Sequence, residues 1–257
     1  MVLCFDIGNT DIDVGVFEND SFSRGFNVSY TKGLTRREYT PDIARQIKEN
    51  NINPQGVTGC VLCSVVKSTT VGVQQALKEI FGCEPVLFEN DETTGIVIKT
   101  DNPAEVGLDI IAGCMAAKSR YSLPAIVIDM GTATSVTAMN EKGELLGVSI
   151  ITGVMTSLMA LHNRTGLPVD RSLTPPSHAI GTNTPDSIAS GIVLGSAYMM
   201  DGMIKAFEKE MGTVCNVYAT GGLSKIIMPL CEKECMVNEN MLLEGLYRYY
   251  KAKTGLE

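Results

Sequence analysis

Two short stretches of the sequence place an aspartate directly before a turn of small residues, a pattern typical of phosphate-binding hairpins. The first stretch, "FDIGNT", contains Asp6, Gly8, Asn9 and Thr10; the second, "IDMGTATS", contains Asp129, Gly131 and Thr132. Small residues let the backbone approach a phosphate, and successive N–H groups offer donors to its oxygens. An aspartate at the end of a strand can also hold Mg²⁺ through water. One such turn also makes an ordinary hairpin, but two copies favour phosphate binding.

The first turn is followed by two further carboxylates, Asp11 and Asp13. Strand alternation places them on one face, opposite Ile12 and Val14. Within a phosphate site they would repel a triphosphate unless a divalent metal lay between them. Outside such a site they would form a solvated strand face.

Two other features could contribute chemistry. Asp109 precedes the apolar helix "IIAGCMAAKS", where it could serve as a general base or simply cap the helix. Gly221 and Gly222 form an "ATGG" strand-to-helix turn that suits an adenosine moiety. Neither His162 nor His178 has an identifiable catalytic partner in the sequence.

Composition excludes several other classes of protein. The 257 residues carry a net charge of −8 and no dense Lys/Arg stripe, so we predict no nucleic-acid binding. No basic segment followed by a long apolar core opens the sequence, so no secretory signal is expected. The uncharged run Leu145–Leu161 is short for a membrane span and contains Gly, Ser and Thr. We therefore predict a cytoplasmic protein that does not contact a membrane.

The eight cysteines are predicted to be reduced thiols that pack as small apolar groups. Cys60 and Cys63 have a spacing seen in zinc sites, but strand positions three apart point to opposite faces. Neither this pair nor Cys231 and Cys235 has a nearby histidine, so zinc is not favoured.

The sequence predicts an α/β protein with two similar halves. In the first half we predict a hairpin at 2–17, strands near 22–30, 56–66 and 85–90, and helices near 40–50 and 70–82. The stretch "AIVIDMGTATSVTAM" then repeats the pattern of "VLCFDIGNTDIDVGVF": an apolar strand, an aspartate, a turn of small residues and a second apolar strand. A third strand follows it. Two such halves usually face each other across a cleft, where ligands bind. We place the domains at 1–118 and 119–257.

The second half should contain a long helix from Pro185 to about Met211, with Thr184 as its N-cap and Pro185 in the first helical position. The stretch "VCNVYATGG" should be a strand that runs into a turn. "NMLLEGLYRYYKAK" should close the chain as an amphipathic helix.

The order "DIGNT", "NPAEVGLD", "IDMGTATS", "IGTNTPDSIASG" and "ATGG" resembles the actin-fold nucleotide-binding superfamily of sugar kinases and heat-shock chaperones. Within it, the chain is similar to the type III pantothenate kinases. The resemblance spans about residues 2 to 224. It implies two ribonuclease-H-like domains, a homodimer, and ATP-dependent phosphorylation of pantothenate with Mg²⁺ and a monovalent cation, K⁺ or NH₄⁺.

The resemblance also implies roles for individual residues. Asp6 to Asp13 and Thr132 would bind phosphate, Asp129 the monovalent cation, and Asp109 would be the catalytic base. The substrate-side positions are Thr100, Gly107, Leu108, Asp109, Ile110 and Thr184.

Some positions depart from the family pattern. Ile110 replaces the arginine of a Gly-Ala-Asp-Arg block, Thr100 stands where a tyrosine is frequent, and Thr152 replaces a proline. An arginine contact to a carboxylate contributes about 1.5–3 kcal/mol, so its loss bears on the binding of pantothenate. Asp11 and Asp13 bear on the binding of ATP, because two carboxylates near its phosphates would repel them. Two alternatives follow: a non-catalytic or regulatory relative, or a kinase for another hydroxylated substrate.

Overall fold

The computed structural model describes residues 1–32 and 34–256 and divides into two compact units. Unit 1 comprises Met1–Ile96, Ala104–Ala116 and the chain from Asn240 onward, and unit 2 comprises Val97–Pro103 and Ala117–Glu239. Each unit is built around a five-stranded mixed sheet, as the predicted α/β class requires.

Unit 1 begins with an antiparallel meander and continues with two parallel strands. Its elements are β1 (Val2–Ile7), β2 (Asp11–Glu18), β3 (Ser21–Ser29), α1 (Arg36–Glu49), β4 (Gly59–Ser64), α2 (Lys67–Phe81), β5 (Val86–Leu87) and the start of α3 (Leu108–Arg120). The strand order is β3-β2-β1-β4-β5. Leu3, Phe5 and Ile7 point to the face covered by α1 and α2 and form the core there. The opposite face of β1 carries Cys4 and Asp6, because side chains alternate along a strand.

Unit 2 repeats this plan. Its elements are β6 (Ala125–Met130), β7 (Ala133–Met139), β8 (Leu145–Thr152), α4 (Val154–Thr165), α5 (Thr184–Ala189), α6 (Gly195–Met211), β9 (Asn216–Thr220), α7 (Ser224–Ile227) and β10 (Met236–Val237). The order β8-β7-β6-β9-β10 has the same meander followed by parallel strands. The internal repeat predicted from the sequence is therefore a repeat of topology.

The C-terminal helix α8 (Met241–Thr254) belongs to unit 1, although the sequence division at 118/119 placed it in the second half. Aromatic contacts hold it there. Tyr247 stacks on Phe17 with ring centroids 4.2 Å apart, and Tyr249 packs edge-on to Phe88 at 4.6 Å. Tyr249 also donates a hydrogen bond to Asp91 at 3.1 Å. These long-range contacts cannot be read from helical periodicity alone.

Several predicted bounds need correction. Helix α1 begins at Arg36 rather than near residue 40, because Thr35 and Glu38 form a capping box at its start. Strand β5 has two residues instead of the predicted six. The N-cap of α5 is Asn183, not Thr184: the Asn183 side chain accepts a hydrogen bond from the Asp186 N–H at 3.0 Å. Thr184 is therefore the first helical residue.

The predicted long helix is interrupted by a π-helical segment, Ser190–Leu194, between α5 and α6. By length and composition alone the run Thr184–Met211 could cross a bilayer, a test that core helices also pass. Ile188, Val193, Ala197, Met200 and Ile204 lie in the core of unit 2. Asp201, also buried, accepts hydrogen bonds from the N–H groups of Glu232 and Lys233. These contacts assign the run to the unit 2 core.

Candidate active site

The first hairpin turn presents its small residues at the surface of unit 1. The Gly8 N–H donates to the Asp11 carbonyl at 3.1 Å and closes the turn, and Asn9 and Thr10 are exposed. Tyr30, the residue after β3, supports the turn: its hydroxyl donates a hydrogen bond to the Gly8 carbonyl at 2.6 Å. The turn is thus held in shape while the side chains at its tip remain accessible.

Carboxylates gather beside this turn. Asp6 is only 9% exposed and lies directly opposite Asp13 in the antiparallel pairing of β1 and β2. Asp11 and Asp13 alternate with the buried Ile12 and Val14, so the prediction that they share a face is confirmed. Paired residues of antiparallel strands point to the same side. Asp6 therefore joins Asp11 and Asp13 on one face of the sheet.

Neutral side chains on β3 are the hydrogen-bond partners of Asp11 and Asp13. Asn27 donates to Asp13, and Ser29 donates to Asp11 at 3.4 Å. The pKa of Asp13 is raised, first because surrounding protein atoms remove part of its solvation and second because Asp11 is negatively charged. These partners satisfy oxygen atoms without cancelling charge, so the face stays acidic.

Cys63 extends this acidic row and was missed as a site residue by the sequence reasoning. It pairs with Asp6 across the parallel strands β1 and β4 and is fully buried. Burial raises the pKa of Cys63 well above its usual value, with further contributions from the charges of Asp6 and Asp109 and a hydrogen bond to Asp6. The neutral thiol is thus the donor to Asp6. Only strand pairing places it there, and a zinc-like spacing is the one signal visible at this position in the sequence.

Asp109 lies in the first turn of α3, near Cys63. Its Oδ1 accepts a hydrogen bond from the Ile110 N–H at 2.8 Å, which satisfies one helix-terminal donor. A Cβ on Gly107 would lie 2.3 Å from this oxygen, so the absence of a side chain at Gly107 makes room for the carboxylate. Burial raises the pKa of Asp109, while the N–H groups of Ile110 and Asp109 lower it. Asp109 therefore binds the helix terminus and is also a carboxylate with raised basicity.

In unit 2 the second hairpin turn is supported by a helix. The Gly131 N–H donates to the Ala133 carbonyl at 3.1 Å, and Thr132 is exposed. The Thr132 carbonyl accepts hydrogen bonds from the Gly153 N–H at 3.2 Å and the Thr156 hydroxyl at 2.7 Å, both at the start of α4. A Cβ on Gly153 would lie 2.4 Å from two carbonyl oxygens of the turn. Only glycine permits this close approach.

Asp129 is the unit 2 counterpart of Asp6, with different neighbours. It lies opposite Ser135 on β7 and beside Thr220 on β9. Gly221, with φ +85°, follows Thr220, and a Cβ there would lie 2.7 Å from Asp129 Oδ1. The predicted "ATGG" strand-to-helix turn is confirmed: β9 ends at Thr220, and α7 begins at Ser224. This turn packs against Asp129 and leaves Gly222 exposed.

The predicted substrate-side residues fall into two groups. Gly107, Leu108, Asp109 and Ile110 are half-buried in unit 1, the unit that also contains Asp6 and Cys63. Thr100 and Thr184 belong to unit 2. Thr184 is exposed, whereas the Thr100 hydroxyl oxygen is buried with no hydrogen-bond partner among the residues described. A buried hydroxyl of this kind is costly unless a partner satisfies it.

Two sheets of the same strand order, each with an aspartate at the end of its first strand, define the fold class of the actin-like ATPases and sugar kinases. Solved structures share this fold. They include a Baf family protein from Campylobacter jejuni, with a TM-score of 0.64, 14% identity, and coverage of 98% of this chain and 99% of that one. Another is the ethanolamine utilization protein EutJ from Carboxydothermus hydrogenoformans, with a TM-score of 0.55, 16% identity, and coverage of 96% and 88%.

Sequence comparison identifies the family. The family model for type III pantothenate kinase matches residues 2–206. The type III pantothenate kinase of Halalkalibacterium halodurans is 34% identical over 251 residues, covering 98% of this chain and 99% of the relative. That of Roseiflexus castenholzii is 32% identical, covering 98% of each. The chain therefore belongs to the type III pantothenate kinase family, and the predicted resemblance is confirmed.

Proposed function

We propose that this protein uses ATP to phosphorylate the primary hydroxyl of pantothenate, the first step towards coenzyme A. The observation that carries this proposal is the similarity to type III pantothenate kinases over nearly the whole of both chains. Fold similarity alone would not carry it, since one fold hosts many activities.

Asp109 is the proposed catalytic base. Phosphoryl transfer needs positioning, neutralisation of charge and a group that accepts the hydroxyl proton. A carboxylate whose pKa is raised by burial is a stronger base than an exposed one while it remains ionised at neutral pH. Gly107 leaves room for the carboxylate and the Ile110 N–H holds its Oδ1, so Oδ2 is proposed to accept the proton of the substrate hydroxyl.

The two hairpin turns are the proposed phosphate sites, and the "ATGG" turn is proposed to bind adenosine. Asn9, Thr10 and Thr132 have side chains that can donate to phosphate oxygens, while Gly8 and Gly131, whose N–H groups close the turns, let a phosphate approach the backbone. Gly221 and Gly222 let a nucleoside approach the backbone. Asp6 fits Mg²⁺, which prefers oxygen ligands and keeps much of its water, and the neighbouring Asp13 adds a further carboxylate. The metal would neutralise charge on the phosphates.

Asp129 is the proposed ligand of a monovalent cation, K⁺ or NH₄⁺. Its neighbours Ser135 and Thr220 are hydroxyl residues, and no second carboxylate stands opposite it in the strand pairing. One carboxylate among neutral oxygen donors suits a singly charged cation better than the paired Asp6 and Asp13 would. Thr100 and Thr184 are proposed to contact the substrate, and the buried Thr100 hydroxyl supports this role.

We further propose a homodimer in the cytoplasm. Unit 2 exposes large apolar side chains, including Ile150 (71%), Ile180 (83%) and Tyr198 (57%), which a second copy could cover. The eight cysteines are free, as is usual in a reducing compartment.

A coupled assay of ADP release tests the activity. Purified protein with ATP, Mg²⁺ and K⁺ should turn over when pantothenate is added, and should slow when Na⁺ replaces K⁺. The phosphorylated product, identified by mass spectrometry, should carry the phosphate on the primary hydroxyl. Absence of pantothenate-dependent turnover at high enzyme concentration would refute the proposal.

One observation favours an alternative acceptor. Ile110 lies next to Asp109, half-buried, where an arginine is usual in the family, so position 110 is apolar and does not supply that arginine's charged contact to the pantothenate carboxylate. The assay should therefore include neutral primary alcohols of similar size. Turnover with such an alcohol but not with pantothenate would favour this alternative. Calorimetry that detects neither ATP nor pantothenate binding would instead favour a non-catalytic relative.

A further inference from the structure

Lys32 reaches the tip of the first hairpin turn from the segment that follows β3. Its Nζ donates a hydrogen bond to the Asn9 side-chain oxygen at 2.9 Å. Two residues earlier, Tyr30 donates to the Gly8 carbonyl at 2.6 Å. The segment that follows β3 therefore both supports the turn and places an ammonium group at its exposed tip.

The ammonium group lies beside an acidic face, where its positive charge can offset repulsion of a bound phosphate. Asp6, Asp11 and Asp13 share the adjoining sheet face, and the partners of Asp11 and Asp13 on β3 are the neutral Ser29 and Asn27. A nucleotide triphosphate approaching this face meets charge of its own sign. Mg²⁺ would offset part of that repulsion. A lysine at the rim offsets more of it without occupying the metal position.

The donor geometry is also suitable. A lysine ammonium carries three N–H donors, so it can keep its bond to Asn9 and still donate to phosphate oxygens. Lysine binds phosphate as a compact point charge on a flexible stem, which tolerates an exposed position. The hydrogen bond to Asn9 holds the ammonium at the exposed tip of the turn, next in sequence to the exposed Thr10.

We propose that Lys32 is a nucleotide-binding residue whose ammonium, anchored by Asn9, contacts the β- and γ-phosphate oxygens of ATP. This inference rests on the proposed function and adds to it a binding residue outside the two phosphate turns. Lys32 does not take part in proton transfer, and its contribution is to the affinity for the polyphosphate.

Calorimetry with a non-hydrolysable ATP analogue and Mg²⁺ tests the proposal. Lys32→Met should weaken binding about 10- to 100-fold, the value of a charged hydrogen bond, and Lys32→Arg should retain most of the affinity. Lys48→Met is the matched control, because Lys48 is an exposed lysine in the last turn of α1 in the same unit. That variant should bind like the wild type.

A second measurement separates phosphate contact from support of the turn. If Lys32 contacts the outer phosphates, Lys32→Met should lose affinity for the ATP analogue and ADP but keep that for AMP. The KM for pantothenate should not change. Equal loss for AMP and the ATP analogue, or equal affinities for Lys32→Met and Lys48→Met, would overturn the inference. A wild-type protein that binds no nucleotide would overturn the proposed function and this inference together.

Discussion

The two units share one sheet topology but surround the corresponding aspartate with different chemistry. Asp6 and Asp129 occupy the same place, before the turn that joins the first two strands. Asp6 is flanked by Asp13 and Cys63, whereas Asp129 is flanked by Ser135 and Thr220. The repeated topology therefore places Asp6 and Asp129 at equivalent positions, and the residues on the neighbouring strands determine how acidic the surroundings of each are.

The turns also differ in how they are supported. In unit 1 the side chains of Tyr30 and Lys32, on the segment after β3, hold the turn. In unit 2 the start of α4 holds the Thr132 carbonyl through Gly153 and Thr156. Side-chain support tolerates substitution more readily than a close backbone approach. We therefore expect unit 2 to be the more sensitive to a small change at its turn.

The largest expected effect tests whether unit 1 supplies the base. Asp109→Asn keeps the shape of the side chain but removes the proton acceptor, so kcat should fall by about 10²- to 10⁴-fold. Thermal unfolding should occur at an unchanged or higher temperature, because burial raises the pKa of Asp109 and its charge therefore disfavours the folded state.

The pH profile sharpens this prediction. Since the pKa of Asp109 is raised, the wild-type rate should fall as the pH drops through a value above the usual 3.9 of aspartate, where the base becomes protonated. Asp42→Asn, an exposed position on α1, is the control and should leave kcat unchanged. A normal rate for Asp109→Asn would remove Asp109 as the base.

A smaller effect is expected from Gly153→Ala, which disturbs the backbone contact that supports the unit 2 turn. The methyl group of Gly153→Ala would lie 2.4 Å from the carbonyl oxygens of Gly131 and Thr132, so the turn must shift. Overpacking of this kind costs about 1–3 kcal/mol, and the KM for ATP should rise. Gly147→Ala on β8 is the control, since a Cβ there meets no atom within 4 Å. Equal chemical denaturation midpoints for the two variants would contradict the proposed close contact.

The smallest effect is expected when the strand partner of Asp6 is replaced by the residue type that pairs with Asp129 in unit 2. Asp13→Ser copies the residue at position 135 and removes a carboxylate whose pKa is raised by partial desolvation and by the charge of Asp11. Above its folded-state pKa this charge destabilises the fold, so the variant should be more stable at pH 7, by less than about 1 kcal/mol.

The sign of this effect can be followed by pH. As the pH falls through the folded-state pKa of Asp13 towards its unfolded value of about 3.9, the penalty disappears and the two proteins should converge. Urea unfolding at several pH values measures this difference. A variant less stable than the wild type at pH 7 would mean that the hydrogen bond from Asn27 outweighs the repulsion.

Much of the fold could be predicted because its signals are local. The two hairpins, the strand ahead of Gly221 and the amphipathic C-terminal helix follow from apolar periodicity and turn residues. Assignment of α8 to unit 1 could not be predicted, because it depends on contacts such as Tyr247 with Phe17, 230 positions apart in the chain. The N-cap at Asn183 was missed by one residue, since Asn183 and Thr184 are both good capping residues.

The sequence by itself determined the repeated turn, the alternation of Asp11 and Asp13 with buried residues, and the family. Such features depend on neighbouring residues or on the order of motifs along the chain. Only the tertiary structure placed Cys63 beside Asp6, made room for Asp109 over Gly107 and brought Lys32 to Asn9. The physical reason is that strand pairing and loop position join residues distant in sequence, and the charge around each aspartate depends on those neighbours.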